Sequence, residues 1–262
     1  MKIRSVLIAV LALSSMGVAE QWNKTYKVGA APVLMVTTND ASIEVHGGGA
    51  GTITANLETR GISVMGNDPE MRITESQSGD NVTILAKQRE GHWCIGCTRS
   101  AHFDITVPTG TKLVLHTSDG SLKVFDIKAP ADLHSSDGSI EVRGFDGVLH
   151  ARTSDGSIRA SGRFDDLSLD SSDGSITLEV ARGSKVSTDW KIRTSDGSVR
   201  ATLPDDLAAD VSLSTGDGSI HSELSINDVH TRSKRSMEGK LNGGGRMLEI
   251  HTSDGSIQLT RL

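Results

Sequence analysis

The sequence predicts an all-β chain wound as a right-handed parallel β-solenoid with coils of about 18 residues. A recurring turn tetrad, a constant step between its copies and period-two apolar alternation on both sides of each copy carry that prediction. An antiparallel β-meander or sandwich is the alternative, because Asp-Gly also closes hairpins.

The tetrad Ser-Asp-Gly-Ser followed by Leu, Ile or Val occurs at residues 118–122, 136–140, 154–158, 172–176, 195–199 and 253–257, and at 216–220 with Gly first. Residues 39–43, Asn-Asp-Ala-Ser-Ile, form a degenerate early copy. The Asp119, Asp137, Asp155 and Asp173 steps are each 18 residues; 23 then lead to Asp196, 21 to Asp217 and 37 to Asp254. The last gap holds two coils if residues 238–241 are a worn copy. Four residues before each Asp stands an apolar residue (Leu115, Leu133, Ala151, Leu169, Ile192, Leu213, Ile250), and three after it another (Leu122, Ile140, Ile158, Ile176, Val199, Ile220, Ile257). Alternation on both sides of a polar turn is strand–turn–strand. Asp bonding to its own backbone and Gly accepting positive φ explain the turn residues. One such unit cannot bury its apolar row alone, so units must stack. Stacking at about 4.8 Å brings like residues into columns. It also orders Lys123, Glu141 and Arg159, and His134, Arg152, Asp170 and Arg193, as ladders of mixed sign.

Three regions follow. Residues 1–19 read as a secretory signal peptide: Lys2 and Arg4, a short apolar run, then Gly17 and Ala19 before the cut. Residues 20–110 form irregular β coils and a cap carrying a Cys-x-x-Cys loop, with alternating stretches at 33–38, 52–58, 71–75, 82–86 and 103–107. Residues 111–262 form the regular solenoid, continuous with the cap, interrupted by a polar, glycine-rich excursion at 225–246. No stretch after the signal is apolar and long enough to span a bilayer. Aromatics are only 3%, too few for the girdles of an outer-membrane barrel. A formal net charge of −6 without a basic face argues against nucleic acid as a partner.

The tetrad repeats, the Phe-Asp-Ile-Thr-Val-Pro step at 103–108 and the closing Glu-Gly-Lys-Leu-Asn-Gly-Gly-Gly at 238–245 resemble the bacterial β-strand-repeat domains of unknown function labelled putative adhesins. The likeness covers about residues 30–262. It implies an exported envelope or surface protein with a β-solenoid body, and it brings no catalytic residues.

Three constellations bear on chemistry. Asp119, Asp137, Asp155, Asp173, Asp196, Asp217 and Asp254 form one file. Bare carboxylates 5 Å apart repel by about 0.8 kcal/mol in water, so the file must be hydrated, turn-bonded or bridged by cations. Asx-turns with Ser caps are one reading; calcium is the other. Cys94 and Cys97 read as a local disulfide of an oxidising compartment, with no helix to make a redox motif of them. Zinc would need two more ligands, and although His92 and His102 are near in sequence a Cys-x-x-Cys half-site alone is a weak signal. His116 and His134 occupy equivalent sites in neighbouring coils, as ladder residues or as a metal pair. No GxSxG, HExxH, P-loop or Rossmann pattern occurs. The expectation is a non-enzymatic, adhesin-like binding or structural protein of the periplasm, cell surface or secreted fraction. Its partner would be an envelope polysaccharide or protein. A polysaccharide-active β-helix enzyme and a stress-linked periplasmic factor without a dedicated ligand are the alternatives.

Overall fold

The computed structural model describes residues 19–62, 65–66, 71–88, 94–95 and 98–262. The residues before Ala19, expected to form a signal peptide, and the second cysteine, Cys97, lie outside them. Among the described residues there are 23 strands and no helix, and none of these segments is a helix able to cross a membrane.

Each coil is a strand, a tight turn at the tetrad Asp, and a second strand, closed by a return segment. The strand Lys112–His116 lies parallel and in register on Ala131–His134, Leu115 beside Leu133. After the turn, Leu122–Phe125 lies on the start of Ile140–Thr153, Leu122 beside Ile140. The next coils repeat this, Ala151 beside Leu169 and Ile158 beside Ile176. The two columns of strands face each other across one core, and both apolar rows are buried in it apart from Ile220 near the far end, which is half-buried. The return side adds an aromatic file: Phe145 stacks on Phe164 at 5.9 Å, and Phe164 meets Trp190 edge-on at 6.3 Å. All three rings are essentially water-free. The repeat thus yields the parallel stack, and the antiparallel alternative is confined to the ends.

At both ends the coils stack out of sequence order. The early copy around Asp40 is a true coil: Val33–Thr38 and Ser42–Gly47 pair parallel with the two strands of the Asp119 coil. Outside it lie Asn81–Gln88 and Thr98–Val107, which come later in the chain. Antiparallel strands then cover this end: Met71–Ser78 on Asn81–Gln88, Thr52–Ile62 on Thr98–Val107, and Ala19–Lys27 on Thr52–Ile62. Tyr26 ties the two layers together by donating to Glu75 Oε2 at 2.5 Å, with Lys24 Nζ at 2.5 Å from Oε1.

At the other end the last coil of the chain is inserted. Met247–Thr252 pairs with Trp190–Thr194 on one side and Ala209–Thr215 on the other. Ile257–Arg261 lies between Val199–Leu203 and Ile220–Ser222 in the same way. The order in space is therefore Asp196, Asp254, Asp217. The expected worn copy at 238–241 is no coil. It belongs to Ser236–Leu241, which runs antiparallel on Ala209–Thr215 and carries Asn227–Arg232 as a capping hairpin. The excursion at 225–246 is thus the lid of the stack, placed where a further coil would otherwise leave an open strand edge.

Candidate functional site

The turns form one continuous edge. Within it the N–H groups of Ser136 and Asp137 both donate to Ser118 O (3.0 and 2.9 Å), and those of Ser154 and Asp155 to Ser136 O. The same step recurs from Ser118 and Asp119 on Asn39 O to Asp217 on Ser253 O. The turns are therefore held by backbone bonds between coils, where Asp side chains bonding locally were expected.

The residue two before each Asp, absent from the sequence reading, is the centre of the edge. Thr117, Ser135, Thr153, Ser171, Thr194, Thr215 and Thr252 are buried. Each hydroxyl accepts from the N–H of its own tetrad glycine, as Thr153 does from Gly156 at 3.3 Å. Each also donates to the carbonyl at the glycine position of the coil stacked before it, as Thr153 does to Gly138 O at 3.0 Å and Thr117 does to Ala41 O at 3.1 Å. The signal was visible as an unbroken Ser/Thr column, but Ser and Thr are so common around turns that the column carried no contrast.

The tetrad glycines serve close approach rather than positive φ. None of Gly120, Gly138, Gly156, Gly174, Gly197, Gly218 or Gly255 has a left-handed backbone. A Cβ on any of them would fall closer than 3.0 Å to the glycine-position carbonyl stacked against it, a separation real Cβ atoms do not reach. Ala41 fills the glycine position in the Asp40 turn, which has no tetrad before it in the stack.

The carboxylates of Asp119, Asp137, Asp155, Asp173, Asp196, Asp217 and Asp254 stand exposed along this edge. Among the described residues no three His, Cys, Asp or Glu side chains converge on a metal-sized point. At the start of the file Asp40 is half-buried, and its carboxyl is pushed up by burial and by sharing a hydrogen bond with the Asp119 carboxylate. At the far end Arg235 reaches Asp217 at 3.5 Å.

The flank before the turns presents the His–Arg–Asp ladder. The rings of His116 and His134 are brought together, stacked at 4.7 Å and 4° from parallel. Burial lowers the basicity of His134, and the charges of His116 and Arg152 push the same way against Asp132. Next along, Arg152 Nε approaches Asp170 at 3.8 Å, and His150 approaches Asp166 at 3.9 Å. Arg193 turns instead to Glu249 of the inserted coil at 2.7 Å. Between these side chains lies a groove of about 430 Å³, with Asp132, His134, Arg152, Asp166, Asp170 and Lys191 among its walls. Cations and anions alternate across it, and each partial pair leaves hydrogen-bonding capacity toward solvent.

On the flank after the turns the mixed ladder forms only in part. Lys123 bonds Glu44 at 3.3 Å, but Glu141 pairs with Arg143 on its own strand. Burial raises the Glu44 carboxyl, yet hydrogen bonds from His46 and Lys123 outweigh it and hold the group below its ordinary range. The Cys94–Cys97 pairing falls outside the described residues.

The family model described as Toastrack DUF4097 matches residues 33–191 and 180–260, which take in the whole coil stack. No curated protein matches. Among solved structures, a putative cell adhesion protein from Clostridium sporogenes ATCC 15579 aligns over 93% of this chain and 100% of its own, with a TM-score of 0.43 and 10% identity. A putative adhesin from Bacteroides fragilis NCTC 9343 aligns over 93% and 97%, with 0.34 and 9%. A putative adhesin from Parabacteroides merdae ATCC 43184 aligns over 92% and 96%, with 0.37 and 10%.

Proposed function

The chain belongs to the Toastrack DUF4097 family, and from that premise we propose that it is an exported, non-enzymatic, adhesin-like protein that binds an extended partner of the cell envelope. The signal-like residues 1–19 support export to the periplasm or cell surface. The observation that carries the binding reading is the groove on the flank before the turns, where His134, Arg152, Asp170 and Lys191 step along neighbouring coils. Strand spacing sets those steps at about 4.8 Å, which suits a polymer lying along the stack rather than a compact molecule. A catalytic carboxylate pair fits less well. Asp166 and Asp170 lie four residues apart on one strand, about 13 Å, beyond the roughly 5–9.5 Å of glycosidase pairs, while Asp189 accepts the Met247 N–H at 3.2 Å.

Co-sedimentation of the exported protein with isolated peptidoglycan sacculi tests this reading. The protein is expected to pellet with the sacculi, and Arg152→Glu with Lys191→Glu is expected to release it at least tenfold. Identical pelleting of the folded double variant, or none by the wild type, refutes the groove as the binding surface.

A further inference from the structure

A second surface lies on the other flank, at the end where the Asp40 coil is covered by later strands. There Ala19–Lys27, Thr52–Ile62 and Thr98–Val107 run side by side, antiparallel. Their inward residues, Tyr26, Ile53, Ala55, Leu57, Phe103 and Ile105, belong to the core. The outward ones make a grid. Asn23 stands beside Asn56, which stands beside Asp104; Gln21 stands beside Glu58, which stands beside His102. Neighbours across strands are about 4.8 Å apart, and the two rows about 6.7 Å. These six side chains line a hollow of about 420 Å³.

We propose that this grid is a binding site for an uncharged pyranose oligosaccharide. Asparagine is a poor strand residue because its amide competes with the ladder for backbone partners. Two of them directly opposite each other, next to an aspartate, is thus a costly choice for a sheet. It brings no visible structural return: Gln21, Asn23, Asn56 and Asp104 make no side-chain hydrogen bond to another described residue. On the same flank Glu44, by contrast, is paired with His46 at 2.9 Å and Lys123 at 3.3 Å, and Arg200 with Gln258 at 3.1 Å. Three amides and a carboxylate held on rigid strands offer donors and acceptors side by side. That pattern matches adjacent sugar hydroxyls, each of which donates and accepts. Glu58 and His102 border the hollow while engaged with Arg60 at 3.2 Å and Glu44 at 4.0 Å, so the recognition falls to the four unpaired groups. The walls hold no tryptophan or tyrosine to stack on a ring, so affinity comes from hydrogen bonds and is modest, about millimolar for one short chain.

This site extends the envelope-binding reading but does not depend on the groove. The side-chain NH2 signals of Gln21, Asn23 and Asn56 in a 15N–1H NMR spectrum report on it directly, with cellotetraose and chitotetraose as probes. Saturable shifts of these signals are expected with at least one sugar. Shifts with both assign recognition to ring hydroxyls; shifts with chitotetraose alone assign it to the acetamido group. Asn23→Ala with Asn56→Ala is expected to weaken binding about tenfold, followed through Gln21, with an unchanged melting temperature. No shift with either sugar, or equal affinity in the folded variant, overturns the proposal. Should that variant not fold, Asp104→Asn decides in the same way. The groove variant must leave these shifts untouched, so either site can fail alone.

Discussion

Replacing Thr153 by valine removes one hydroxyl from the middle of the turn edge while keeping volume and β-branching. Thr153 is 2% exposed, and its hydroxyl is fully engaged. It accepts the Gly156 N–H at 3.3 Å and donates to Gly138 O at 3.0 Å, with Ser136 O at 3.1 Å. Valine leaves a buried N–H and a buried C=O without these partners, each costing about 1–3 kcal/mol. The extra methyl returns under about 0.8 kcal/mol. A net loss of about 1–5 kcal/mol follows, or roughly 2–20 °C in melting temperature for a chain of this size. Thr153→Ser is the control, because Ser135 and Ser171 already fill the same place with the same bonds. It deletes a methyl and keeps both hydrogen bonds, at a cost of about 0.8 kcal/mol. Urea unfolding of both variants at unchanged slope measures the difference. If the valine variant proves as stable as the serine variant, the hydroxyl column does not hold the turns, and the account of the edge is wrong.

Other predictions follow from the same geometry. Gly156→Ala is expected to destabilise by about 1–3 kcal/mol through overpacking against the Gly138 carbonyl, whereas Ala41→Gly is expected to change urea stability by under about 1 kcal/mol. His134 is less basic folded than unfolded, so its contribution is present above the unfolded pKa and is lost as pH falls through the folded one. The melting temperature should therefore drop from pH 7.5 toward pH 5 with a slope that His134→Gln reduces. The exposed Asp file repels itself, so sodium chloride should raise the melting temperature and Asp155→Asn should flatten that response. Calcium is expected to match sodium at equal ionic strength; a larger, EDTA-reversible rise would mark a cation ladder. Deleting residues 247–262 removes the parallel partner of Ala209–Thr215 and that of Ile220–Ser222, and rapid proteolysis at 204–208, leaving an intact N-terminal fragment that ends near 203, is the expected result.

The repeated coil was legible because each copy restates the same physics. Leu115, Leu133, Ala151 and Leu169 can only be hidden by stacking like on like, and the 18-residue step leaves one register for doing so. The meeting of His116 with His134 follows from that register alone. The groove did not follow, because it depends on which way Arg152, Asp170 and Lys191 swing. Arg193 shows the difficulty: its place in the ladder was foreseen, yet its carboxylate partner is Glu249, 56 residues away. The Asn23–Asn56–Asp104 row was equally hidden, because the strands that build it carry no tetrad.

By itself the amino-acid order determined the coil, the edge of exposed aspartates, the buried apolar rows and the mixed-charge flank, since all of these are set within a few residues of each turn. Only the tertiary structure decided the order of the coils at the two ends. Every coil strand offers the same alternation and the same backbone groups to either neighbour, so the strand 247–252 fits against 190–194 or beyond 209–215 equally well on pattern. What selects the inserted position is the sum of contacts across both its faces, Arg193 with Glu249, Arg200 with Gln258, Thr202 with Thr260 and Ser214 with His251, which exist only once the rest of the stack is in place.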